Sequence, residues 1–155
     1  MKRLPGVFQA RKKNGDIYFR SSVTFRGKHI SLGSFATQEE AHRTYTIAAN
    51  LLKSEIRFLP DDYRPCELPF SKWVVLNNFK NNGLYIKTPI YLQANYFEYY
   101  LSREDVLLFD ADDLFYNYAV PAARNAVVGS IPLCYIYAEA GRTIRIGTHA
   151  ERLLR

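Results

Sequence analysis

Little in this chain is equipped for redox, metal or secretory chemistry. Its two cysteines, Cys66 and Cys134, stand far apart with no CxxC partner. That excludes a disulfide framework and a zinc-binding cysteine cluster, and it predicts two free thiols in a reducing, intracellular setting. No run approaches the roughly 20 apolar residues that a membrane-spanning helix needs, so no membrane partner is expected. The basic opening Met1-Lys-Arg-Leu-Pro-Gly6 lacks the apolar stretch that follows the charges of a secretion signal. Histidine is scarce, and only His149 lies beyond residue 58. A His-Asn-His nuclease gathers a histidine base and metal ligands into one small unit, and no second histidine stands near His149 to build one. Glycine-rich phosphate loops, a GxSxG elbow and a Cys-His pair are all missing. Catalysis is therefore not expected, nor is a cofactor. Asp110-Ala-Asp112-Asp113 is the nearest approach to a cation site, but it lacks the glycine and distal glutamate of a calcium loop. It reads more simply as a solvated turn between buried aromatics, and no metal is assigned to it. Internal repeats and low-complexity tracts are also absent.

Acid is almost missing from the first 36 residues. Lys2, Arg3, Arg11, Lys12, Lys13, Arg20, Arg26 and Lys28 face one carboxylate, Asp16. The segment carries +7 against +6 for all 155 residues, so the rest of the chain is slightly acidic. Charge concentrated in this way on a strand-rich element is the electrostatic footprint of a nucleic-acid binder. The plainer reading is a solvated basic surface, and the pattern around the charges decides between the two.

That pattern is regular. Gly6–Arg11 reads as a strand, followed by a turn at Lys12-Lys13-Asn14-Gly15; Asn-Gly between extended runs is a strong hairpin signal. Ile17–Phe25 alternates, with Phe19, Ser21, Val23 and Phe25 on one face and Tyr18, Arg20, Ser22 and Thr24 on the other. Period-two alternation marks a sheet with one buried and one wet side. After a turn at Arg26-Gly27-Lys28, a third strand over His29–Gly33 turns Ile30 and Leu32 inward and adds His29 and Ser31 to the polar face. Thr37-Gln-Glu-Glu40 has the spacing of a capping box. The helix behind it carries Ala41, Tyr45, Ala48 or Ala49, and Leu52 along one stripe. Val23, Leu32, Phe35 and Tyr45 are expected in the core. Nothing in the sequence is left to cover the polar, basic front of the sheet.

Gly6-Val7, Tyr18-Phe-Arg-Ser-Ser-Val23, Ile30-Ser-Leu-Gly-Ser-Phe35 and Thr37-Gln-Glu-Glu-Ala-His-Arg-Thr-Tyr45 with Ala48-Ala49 together resemble the Apetala-two/ethylene-response-factor DNA-binding domain. The resemblance covers about a third of the chain, from residue 5 or 6 to 58. That family is best known from plant transcription factors, and similar domains occur in bacterial and phage proteins, often beside HNH-type homing nucleases. It implies that the sheet, rather than the helix, enters the major groove of double-stranded DNA. Carried over by position, the DNA-facing residues are Phe8 and Ala10 on the first strand, Arg20, Ser22 and Thr24 on the second, and His29 and Ser31 on the third. Several of these positions hold arginine, glutamate or tryptophan in the plant proteins, so their sequence preference does not transfer. Arg11, Lys12, Lys13, Arg26 and Lys28, mostly in turns, are expected to clamp phosphates. Five such contacts correspond to a log-log salt slope of roughly −4 to −5.

Beyond residue 58 the composition changes. Pro60, Pro65 and Pro69 mark residues 59–71 as a connector, and residues 72–155 form an aromatic-rich region of unassigned role. Ser102-Arg-Glu-Asp105 reads as a helix start ahead of Val106–Phe109, and Leu133–Ala138 with Thr143–Ile146 as a hairpin. The cluster Tyr91, Tyr96, Phe97, Tyr99, Tyr100, Phe115, Tyr116 and Tyr118 is expected to be core first, with homodimerisation through this half as the alternative. Arg142, Arg145, Arg152 and Arg155 either add phosphate contacts or form a basic tail.

The expected fold class is α+β: an N-terminal three-stranded antiparallel sheet packed on one helix over residues 1–58, then a second small α+β region. The expected function is sequence-specific double-stranded DNA binding through the sheet face, as a transcription regulator or mobile-element accessory protein. The alternatives are an HNH-type homing endonuclease or its reduced derivative, and RNA binding with Tyr18 or Phe8 as a stacking platform.

Overall fold

The structure, a computed structural model, describes residues 2–111 and two later strand segments, 133–139 and 142–147. The first three strands are β1 (Val7–Arg11), β2 (Ile17–Phe25) and β3 (Lys28–Phe35), forming an antiparallel sheet in the order β1-β2-β3. The turn before β2 closes with the Lys12 amide on the Asp16 carbonyl at 2.8 Å, and the Asn14 side-chain amide donates to the Asp16 carboxylate at 2.7 Å. The β2–β3 turn has only Arg26 and Gly27 at its centre, with φ of 48° and 76°. Positive φ at both positions is the geometry of the primed hairpin turns, whose twist matches that of the strands.

A bulge interrupts the β2–β3 ladder. Ser21 pairs with Gly33 and Ser22 with Ser31, which leaves Leu32 as the extra residue. Because one inserted residue reverses the alternation, Leu32 (1% exposed) stays inward and Ser34 moves to the front, opposite Arg20.

Helix α1 (Gln38–Lys53) starts on the expected capping box: Thr37 Oγ1 accepts from the Glu40 amide at 3.2 Å, and the Glu40 carboxylate accepts from the Thr37 amide at 3.3 Å. It lies across the back of the sheet with Ala41, Thr44, Ala48, Ala49, Leu51 and Leu52 buried. The alanines permit a close approach, and Tyr45 covers Gly6. A Cβ at Gly6 would fall inside the Tyr45 ring, and its φ of 73° disfavours any other residue.

Residues 59–71 do more than connect. A single 3-10 turn, Pro60–Asp62, leads to Tyr63 and Leu68, both buried in the same core as Val23, Ile30, Leu32, Ala48, Leu51 and Leu52. The Tyr63 hydroxyl donates to the Leu68 carbonyl at 2.9 Å, which satisfies the one polar atom that this burial brings with it. Helix α2 (Phe70–Asn82) completes the core with Trp73, Leu76 and Phe79.

The opposite side of α2 meets a second sheet. Its strands are β4 (Ile90–Leu92), β5 (Tyr96–Tyr100), β6 (Asp105–Asp110), β7 (Leu133–Glu139) and β8 (Arg142–Gly147), in the order β4-β5-β6-β8-β7. Only the β6–β8 pairing is parallel, and β7–β8 is the antiparallel pair expected near the end of the chain. Val74 joins Tyr91, Tyr100 and Val106, while Ile86, Ile90, Phe97, Leu107 and Phe109 form a neighbouring cluster. The fold is α+β, as expected.

One expected element is corrected. Ser102 does not open a helix: its hydroxyl accepts from the amides of Glu104 (3.2 Å) and Asp105 (3.0 Å) within the β5–β6 turn. Asp105 then begins β6. A serine can satisfy nearby amides in a turn as well as at a helix start, and the unbroken apolar run Val106–Phe109 suits a buried strand. No helix among the described residues is long and apolar enough to cross a membrane.

Candidate nucleic-acid interface

The pleat of β1–β3 sorts the candidate residues. With α1 on the back, the front carries Phe8 and Ala10 from β1, Tyr18, Arg20, Ser22 and Thr24 from β2, and His29, Ser31 and Ser34 from β3. Cross-strand rows run Phe8–Arg20–Ser34, Ala10–Tyr18, Ser22–Ser31 and Thr24–His29. Phe8, Arg20, Thr24, His29, Ser31 and Ser34 are exposed, Ala10 and Tyr18 half-buried. Ser22 is only 7% exposed, so a ligand reaches it through a shallow floor rather than a projecting side chain.

The front is thus low and hydroxyl-rich, with one tall cation. The Arg20 guanidinium donates to the Tyr18 hydroxyl from Nε at 3.1 Å and from Nη2 at 2.7 Å. Its carbon stands 5.4 Å from the centre of the Tyr18 ring. Phe8, 45% exposed, flanks it on the neighbouring strand.

The remaining cations fall elsewhere. Lys12 and Lys13 occupy the β1–β2 tip and are exposed. Arg11 pairs with Ile17 and Lys28 with Phe25, which puts both on the α1 side of the pleat, exposed at opposite ends of the sheet. Arg26 is exposed but tethered: Nη1 donates to the Phe79 carbonyl at 3.3 Å, and the guanidinium lies 4.8 Å from the Phe25 ring centre and 6.0 Å from that of Phe79. It holds the hairpin to the C-terminal end of α2, where a cation suits the exposed helix carbonyls.

Two grooves flank the sheet. One of about 380 Å³ runs beside β1, lined by Lys2, Arg3, Phe8, Gln9 and Gln38, with the Gln38 side chain donating to the Lys2 carbonyl at 2.9 Å. The other, about 480 Å³, lies at the β2–β3 end among Phe25, Arg26, Ile56, Arg57 and Lys80. Lys80 donates to the Ile56 carbonyl at 2.7 Å, and burial lowers its pKa. Cations therefore stand at both ends of β2, a nine-residue strand spanning roughly 27 Å at about 3.3 Å per residue.

Sequence reasoning missed Ser34, which the bulge at Leu32 brings to the front, and the Tyr18–Arg20 bond. The alternation at 18 and 20 on one strand face was the available signal for the second; the bulge left none for the first.

In the aromatic half, Tyr91, Phe97 and Tyr100 are buried, Tyr99 is half-buried and Tyr96 is 37% exposed, so the described members serve mainly as core. Phe115, Tyr116, Tyr118, Asp112, Asp113, His149, Arg152 and Arg155 lie outside the described residues. Among the described residues no group of three or more His, Cys, Asp or Glu side chains is placed to hold a metal ion. Cys66 is free and exposed.

No family model, curated protein or solved structure matches the chain.

Proposed function

We propose that this is a sequence-specific double-stranded DNA-binding protein, a regulator or an accessory of a mobile element, whose β1–β3 sheet lies in the major groove. The observation that carries the reading is an uncovered front face: α1 takes the back, and no described element packs on Phe8, Arg20, Thr24, His29, Ser31 or Ser34. A major groove about 12 Å wide admits a narrow β-ribbon, and short side chains let the strand backbone come close to base edges. The low floor of Ala10, Ser22 and Ser31 has that character. Lys12 and Lys13, exposed at the β1–β2 tip, are available to the phosphates of a duplex lying on the front. Phosphate contacts of this kind fix register without reading sequence. The resemblance of residues 6–58 to the Apetala-two/ethylene-response-factor domain supports the same reading. Residues 59–82 serve it by closing the core beneath the sheet.

Selection from a randomised duplex pool, with and without magnesium, tests this. Wild type is expected to enrich a short motif and leave the DNA intact in both conditions, and Arg20→Ala to lose the enrichment. Weak, salt-sensitive binding with no motif, indifferent to Arg20→Ala, would reduce the face to a charged surface. Magnesium-dependent cleavage would point to the nuclease alternative.

A further inference from the structure

Arg20 is the one Lys or Arg on the front face among the described residues, and its geometry is constrained. A guanidinium carries five N–H groups in a fixed plane. Nε–H and one Nη2–H form its side edge, and both point at the Tyr18 hydroxyl, at 3.1 and 2.7 Å. What remains is the terminal edge, two N–H groups on Nη1 and one on Nη2. The Tyr18 ring face adds a second hold, with the guanidinium carbon 5.4 Å from its centre. Tyr18 has room for this because its cross-strand neighbour is Ala10, and Arg20 is flanked along its strand by the sunken Ser22.

We propose that Tyr18 is a positioning residue that holds Arg20 with its terminal edge outward, so that the pair selects a guanine in duplex DNA. The inference rests on the reading of the front face as the DNA-binding surface. Guanine offers two acceptors, O6 and N7, side by side in the major groove, and a terminal fork of two parallel N–H groups matches them. Adenine places an amino donor where guanine has O6, so a donor-only fork meets it badly. A free arginine would find the same base only after losing the freedom of its four side-chain torsions; the bond to Tyr18 removes much of that freedom beforehand. The tyrosine hydroxyl accepts both bonds.

The experiment titrates the motif enriched by wild type against wild type, Tyr18→Phe and Arg20→Lys, exchanging each base pair in turn and recording each protein's thermal midpoint. Wild type is expected to prefer guanine over adenine at one position by roughly tenfold or more. Tyr18→Phe is expected to cut that preference several-fold at that position alone, with an unchanged thermal midpoint. Arg20→Lys keeps the charge but not the fork, and is expected to lose the preference at the same position. A guanine preference that survives intact in Tyr18→Phe would overturn the positioning role while leaving DNA reading in place. An equal loss at every position would also overturn it, because a generally disturbed sheet behaves that way. Failure of wild type to enrich any motif would instead remove the underlying reading.

Discussion

Arg26 is exposed, but its guanidinium also rests on two aromatic rings and donates to a helix carbonyl, contacts that serve the fold. Arg26→Ala keeps the left-handed backbone cost of the turn and removes only these contacts. We expect it to lower unfolding stability by about 1–2 kcal/mol in urea titrations, with no change in the salt dependence of DNA binding. Lys12 and Lys13 carry the opposite expectation: replaced together by alanine, they should flatten the log-log salt slope by about 2 and leave stability nearly unchanged. Lys72 belongs to neither group. Burial, and then repulsion from Lys87, lowers its pKa below the ordinary 10.5. The unfolded chain therefore holds more protons than the folded one between the lowered value and 10.5, and stability rises with pH across that window. Tyr85 and Tyr96 act in the other direction. Burial raises both phenols above 10.0, so the folded state holds more protons above that pH and stability falls again. Lys80, whose pKa burial also lowers, adds to the rise, so Lys72→Met should shrink it and keep the fall, measured as thermal midpoints from about pH 8 to 11.

Among the elements, those with a regular pattern and a local signal were legible and those without were not. β1–β3 announced themselves by alternation and by Asn14-Gly15, and α1 by Thr37 and Glu40. Helix α2 had no such signature, because it is buried on two opposite sides and every residue from Trp73 to Phe79 is buried. No polar stripe remains to show a period. Its first residue follows Pro69, with no side-chain cap to mark the start. The asparagines, which suggest a loop, instead tie α2 to its surroundings: Asn78 Oδ1 accepts from the Leu92 amide at 2.9 Å, Asn78 Nδ2 donates to the Leu84 carbonyl at 2.9 Å, and Asn82 Nδ2 donates to the Leu92 carbonyl at 3.1 Å. Asn78 is fully buried. Asn78→Ala strands the Leu92 amide and Leu84 carbonyl, and we expect a loss of about 2–4 kcal/mol, read from chemical denaturation. The candidate site was legible to the same degree as its strands. Parity along β2 identified the front face, but the turns and the bulge hid which way Arg11, Arg26, Lys28 and Ser34 would face.

At the scale of the molecule, the change in composition at residue 58 marks no break in packing. Tyr63, Leu68, Trp73, Leu76 and Phe79 fill the same core as Val23, Ile30 and Leu32. A fragment ending at residue 58 would leave that apolar surface open, at a chain length where a core is already marginal. We expect the fragment 1–58 to show no cooperative thermal transition and to bind a hydrophobic dye, whereas the full chain unfolds cooperatively. Proline spacing suggested a connector because proline punctuates local structure; it carries no information about whether the residues between are buried.

Helix α2 offers Trp73, Leu76 and Phe79 to one core and Val74 to another, with Asn78, Asn81 and Asn82 bonded alongside. A side chain of different volume at any of these positions must suit its own layer without shifting the axis against the other. The mutational latitude of this helix is therefore narrower than that of the β1–β3 front. Diversification of the chain is steered toward the β1–β3 face, where exposed side chains can change without disturbing a core.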